Sequence, residues 1–198
     1  MQKTFFWLCF VCCSLVLNAQ EAWVLKKNEK GVKVYTQQMP DARVVTFKAI
    51  SVLPHSQELL LQTITDIKNY HKWIDGIAAG RFISRTNESD FYFRQIVLLP
   101  FPFDDREVVQ QSQILREKGS VKIKITEANH IAEPLEGHVR MYVSHGYWLL
   151  EPVKDETKIT YVFTADPGEN IPKWLINSFI VESPFQTLVN LRNFLATD

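Results

Sequence analysis

The sequence predicts an α+β fold in which a curved antiparallel sheet wraps around one long C-terminal helix. Two patterns carry this reading. Consecutive short segments alternate apolar and polar residues with period two between turn signals, and the chain then closes on a single broad apolar stripe of helical period.

After a short amphipathic start at Ala22-Trp23-Val24-Leu25, Val32 and Val34 bracket Lys33, and a longer strand is expected from Arg43 to Leu53. The period then changes. Leu60, Ile64 and Ile67 have helical spacing, Ser56 is placed to cap the helix, and Glu58 sits in the first turn, where the helix dipole favours an anion. Asp66 to Trp73 continues as a short helix or turn. Strands are expected at Ala79–Arg85, Asp90–Leu98, Arg106–Leu115, Val121–Ala128, His138–Leu150 and Lys158–Ala165. The turn signals between them are Asn87-Glu88-Ser89-Asp90, Lys118-Gly119-Ser120 and Lys154-Asp155-Glu156. The clean alternation of Val121-Lys122-Ile123-Lys124-Ile125 gives that strand one wet and one buried face, which is the signature of an antiparallel sheet.

Asp166-Pro167-Gly168-Glu169-Asn170 reads as a turn into the last helix, with Asn170 as its cap and Pro172 in its first turn. Trp174, Leu175, Phe179, Ile180, Phe185, Leu188, Leu191 and Leu195 form the stripe, and Pro184 is expected to kink the helix. Such a stripe has to be buried on the apolar face of the sheet.

Lys3 followed by an apolar stretch from Thr4 to Leu17, then Asn18-Ala19 before Gln20, reads as a secretory signal peptide over residues 1–19. The run is too short to cross a bilayer core comfortably, which takes roughly 20 residues; an uncleaved anchor is the alternative. Residues 20–198 are then one exported domain, periplasmic or secreted. Cys9, Cys12 and Cys13 all lie in the leader, so no disulfide, zinc thiolate or cysteine nucleophile is expected in the mature chain. Removing Lys3 from 22 basic and 22 acidic residues leaves 21 and 22, a net charge of −1. No basic stripe exists to attract nucleic acid, and a monomer is expected.

The five histidines show neither HxxxH nor HExxH spacing, so no metal is expected. Serines 112, 144, 178 and 183 lack a nucleophile elbow, and no glycine-rich phosphate loop is present. No catalytic residue and no cofactor is therefore assigned. Asp104, Asp105 and Glu107 around Arg106 read as a structural ion-pair cluster rather than an acid–base pair. Arg140, between Val139 and Met141, would hold a phosphate or carboxylate if it faced an interior, and would pair with a neighbour if it faced out. His145 is either a polar contact for a ligand or a surface histidine. Phe91, Phe93, Val97, Trp148, Trp174, Phe179 and Ile180 would line a cavity or fill a solid core; composition does not separate the two.

Gly31-Val32-Lys33-Val34-Tyr35, Phe47-Lys48-Ala49, Asp66 through Trp73, Leu99-Pro100-Phe101-Pro102-Phe103-Asp104-Asp105-Arg106-Glu107, Gly137-His138-Val139-Arg140, Gly146 through Pro152, and Asp166-Pro167-Gly168 through Asn177 follow one another in the order of the START (StAR-related lipid transfer) domain. The chain resembles that family from about Trp23 to Leu195. The resemblance implies the helix-grip fold and a tunnel for one lipid, with ligand contacts expected at Phe93, Gln95, Gln111, Arg140, His145, Trp148, Trp174, Asn177 and Phe179. Sterol-binding members carry a buried acid–arginine pair; here the corresponding strands read Arg94-Gln95-Ile96 and Gln110-Gln111-Ser112, so neutral hydrogen bonds would replace it. The function implied is a lipid carrier or sensor with transient membrane contact through Phe101 and Phe103. The alternatives are a helix-grip enzyme, a cyclase or hydrolase acting on a hydrophobic substrate, and a solid module that recognises a protein.

Overall fold

A computed structural model describes residues 22–38, 45–168 and 171–196. The apolar N-terminal segment, Arg43 and Asn170 lie outside the described residues. The strands are β1 (Val24–Glu29), β2 (Val32–Gln38), β3 (Val45–Leu53), β4 (Ile77–Asn87), β5 (Asp90–Val97), β6 (Arg106–Glu117), β7 (Ser120–Glu127), β8 (Val139–Arg140), β9 (Val143–Val153) and β10 (Glu156–Asp166). The helices are α1 (Gln57–Thr65), α2 (Tyr70–Trp73) and α3 (Lys173–Leu195). The expected α+β fold is present, a curved antiparallel sheet with the long helix laid along it.

The strands form one sheet in the order β1-β2-β3-β10-β9-β7-β6-β5-β4, with β8 added beside β6. All neighbours run antiparallel except β8, which pairs parallel with β6. Tight turns set the register. Lys30-Gly31 and Lys118-Gly119 adopt positive φ at both positions, the type I′ geometry whose twist matches the flanking strands. At Gly146 an added Cβ would collide with Val162 O and the Phe163 ring, so a side-chain-free residue is what lets β9 lie this close on β10.

Helix α1 starts as expected, with Ser56 Oγ accepting the Leu59 N–H at 3.2 Å. Helix α3 begins at Lys173, and it is Pro172 whose carbonyl accepts the Leu175 and Ile176 N–H groups. The two halves of α3 differ. Beyond Ser183, Pro184, Phe185, Leu188, Val189, Leu191 and Leu195 are buried, against β1 to β3 and α2. Before it, Trp174 and Asn177 are exposed and Ile176, Phe179 and Ile180 are only half-buried. Lys27 pairs with Glu182 at 2.8 Å and sits over the Phe185 ring at 4.0 Å.

The expected single strand over His138–Leu150 is broken. Residues 128–141 form a strap, with a 3-10 turn at Asn129–Ile131, that crosses the outer face of β5 and β6 and ends in β8. Its anchors are polar. Asn129 Oδ1 accepts the Val109 N–H, and Asn129 Nδ2 donates to Met141 O. Glu107 Oε1 accepts from Arg140 Nε at 2.7 Å and from the Leu135 N–H at 3.2 Å, while Arg94 Nε lies 3.0 Å from Glu107 Oε2.

Candidate functional site

Period-two alternation assigns each strand residue to a face. On β5, Phe91, Phe93, Gln95 and Val97 point towards α3; on β6, Val108, Gln110 and Ser112 do so. A single buried aromatic core fills the α1 and α2 end. Tyr70, Trp73, Phe93 and Trp148 meet there edge to face, and Tyr161 stacks flat on Trp148 with ring centres 3.7 Å apart.

Towards the other end the filling stops, leaving a cavity of about 180 Å³ between the sheet and the first half of α3. Phe47, Ile125, Trp148, Tyr161 and Phe163 make its sheet wall; Ile176, Phe179, Ile180, Ser183 and Thr187 make its helix wall. Its rim is built from Leu98 and Leu99, Met141, Pro167 and Ile171. The polar side chains on the lining are few, and among the described residues none is a lysine, arginine or histidine. Gln110, 1% exposed, donates from Nε2 to Ser144 Oγ at 2.8 Å, and its Oε1 has no hydrogen-bond partner among the described residues. Asp75 is the acid at the rim. Burial raises its carboxyl above the ordinary value, against an opposing hydrogen bond from Ser183 and with the nearby Glu182 adding to the rise. Its backbone ties α2 to α3, because the Asp75 N–H donates to Thr187 Oγ1 and Ser183 Oγ donates to Asp75 O, both at 3.1 Å. Burial likewise raises the Tyr161 and Tyr70 phenols, so both remain protonated hydrogen-bonding groups at neutral pH.

The structure sorts the expected contacts. Gln95, Trp148 and Phe179 face the cavity. Phe93 points inward but is wholly buried in the solid aromatic core beside Tyr70. Gln111 points the other way, its Nε2 donating to Asp90 at 2.8 and 2.9 Å; Gln110, one residue earlier, takes the inner face. Arg140 is outside the sheet because β8 sets it beside Glu107, and it also donates to the carbonyls of Asn129 and Ala132 at 3.0 and 2.8 Å. His145 is exposed for the same reason of alternation, its neighbour Ser144 being the buried residue. Trp174, 71% exposed, and Asn177 lie on the outer side of α3. Arg106 makes no ion pair with its flanking acids; it donates to Pro167 O and Asp104 O at 2.7 and 2.6 Å, bracing the rim.

A sheet closed over a helix around an apolar interior cavity is the helix-grip architecture. The chain belongs to the START domain family, whose model matches residues 11–197, a range that begins inside the apolar N-terminal segment. A Pseudomonas aeruginosa protein of uncharacterized function is 29% identical over 175 residues, covering 87% of this chain and 86% of that protein. Among solved structures, a STAR-related lipid transfer protein fragment from Xanthomonas axonopodis superposes with TM-score 0.82 at 26% identity, covering 88% of this chain and 98% of that one. Human StAR-related lipid transfer protein 5 shares the fold with TM-score 0.77 at 16% identity, over 88% of this chain and 86% of its own.

Proposed function

We propose that this chain binds a lipid or other hydrophobic molecule in the cavity between the sheet and α3, and that it acts as an exported, monomeric carrier or sensor rather than as an enzyme. The apolar cavity carries the reading. Each CH₂ moved from water into such a site gains about 0.8 kcal/mol. The cavity of about 180 Å³ is smaller than the pockets of roughly 300 Å³ and more that enclose drug-sized ligands, which favours a slender, single-chain guest. The lining offers one carboxyl, Asp75, with the Ser183 hydroxyl beside it, and among the described residues no histidine or lysine to act as a base, which is the ground for a binding role.

The two halves of α3 supply a route in. The second half is held by several buried side chains on the sheet, whereas the first half has Leu175 as its one buried residue and covers the cavity with the half-buried Ile176, Phe179 and Ile180. Pro184 lies between them and donates no helical hydrogen bond. The rim segments also carry exposed apolar side chains: Phe101 is 97% exposed, Tyr142 73% and Trp174 71%. These would enter a bilayer interface during loading.

The test is uptake of a single-chain fluorescent lipid from vesicles. A saturable rise in emission with one site per chain is expected, and no uptake at any lipid concentration would overturn the reading. The double variant Phe101→Asp/Trp174→Asp changes only exposed side chains. It is expected to keep the melting temperature and to load at least tenfold more slowly, since burying one such aromatic gains about 1.5–3 kcal/mol; unchanged loading would remove the membrane step.

A further inference from the structure

We infer that the cavity selects an uncharged ligand bearing a hydroxyl group, which the Gln110–Ser144 pair receives at its polar point. This rests on the cavity being the ligand site. The β7–β9 ladder ends at Ile125–Gly146, and just beyond it Gln110 of β6 reaches Ser144 of β9 directly. Both residues are 1% exposed, so neither amide nor hydroxyl is satisfied by bulk water. One end of the Gln110 amide is used on Ser144, and the other, Oε1, is a buried acceptor without a partner on the cavity lining. Ser144 Oγ accepts that amide proton and keeps its own O–H proton to give.

The pair therefore presents one acceptor and one donor side by side. An alcohol matches it, donating its proton to Gln110 Oε1 and accepting the Ser144 O–H. An ether, ester or aldehyde oxygen only accepts, and leaves Oε1 buried and unpaired. A carboxylate or phosphate also only accepts. It would bring a negative charge into a lining that has Asp75 and, among the described residues, no cation. Leaving a buried polar group unmatched is what makes such sites discriminate strongly between an alcohol and its analogue without the hydroxyl.

The experiment is displacement of Nile red from the purified, delipidated protein at pH 8 by hexadecan-1-ol, its methyl ether and palmitate. The alcohol is expected to displace the dye at least tenfold more tightly than either competitor. Gln110→Leu is expected to bring the alcohol down to the level of the ether measured on the same variant. Ser144→Ala, which removes a smaller group, provides the same comparison if Gln110→Leu does not fold. Equal binding of all three by the wild type, or preference for palmitate, overturns the hydroxyl assignment and leaves the binding cavity standing. Failure of dye and every competitor to bind overturns the cavity reading itself.

Discussion

Glu107→Leu is expected to cost about 3–5 kcal/mol of folding stability, the range for breaking a buried ion pair by removing one partner. Glu107 is fully buried and holds Arg140 at 2.7 Å and Arg94 at 3.0 Å, so its loss leaves two guanidinium groups facing each other without a counter-charge. The same change frees the strap over residues 128–141, because Arg140 and Arg94 also grip its carbonyls at Asn129, Ala132 and Glu133. Urea unfolding followed by tryptophan fluorescence measures the loss, and thermal unfolding is expected to move down by roughly 6–20 °C for a chain of this size. Replacing all three partners together with apolar residues of similar volume is expected to recover most of the stability. A loss below about 1 kcal/mol for Glu107→Leu would show that the strap does not depend on the cluster.

Trp148→Ala is expected to act on stability and on ligand size together. Trp148 is 1% exposed, stacks on Tyr161, touches Trp73 edge to face with ring centres 5.8 Å apart, and forms part of the cavity wall. Truncating a buried tryptophan costs about 3–5 kcal/mol. Here the vacated volume adjoins an existing cavity, so the variant is expected to accept ligands too bulky for the wild type and to regain part of its lost stability when they bind. Thermal unfolding with and without a branched-chain or sterol alcohol measures both effects. A variant that unfolds at the wild-type temperature, or whose ligand range is unchanged, would contradict the placement of Trp148 in the wall.

The fold was largely legible because its signals are local. The Lys118-Gly119 turn, the Val121-Lys122-Ile123-Lys124-Ile125 alternation and the Ser56 cap each fix their element within a few residues. The site was less legible because it depends on which face of a strand is inside. On β6 both faces are buried, one by α3 and the core and the other by the strap, so Gln110 and Gln111 look alike in sequence. The two-residue strand β8 is set by pairing with β6 rather than by any local pattern, and it is that pairing that takes Arg140 away from the cavity. Trp174 belongs to the helical stripe by spacing, yet the first half of α3 spans a cavity instead of a packed face, and the side chain stays in solvent. Asp75, Ser183 and Thr187 come together only in the folded chain, through the hydrogen bonds that join the end of α2 to α3. The alternation that made Ser144 the inner neighbour of His145 was present in β9, and pairing Ser144 with the inward Trp148 four residues on would have found it.

Native mass spectrometry of the purified protein, followed by solvent extraction and identification of whatever is released, bears most directly on the cavity. A chain carrying one hydrophobic molecule, uncharged and hydroxyl-bearing, is the result expected. A chain at its bare mass that also takes up none of the lipids offered to it would mean that the space beneath α3 holds no ligand.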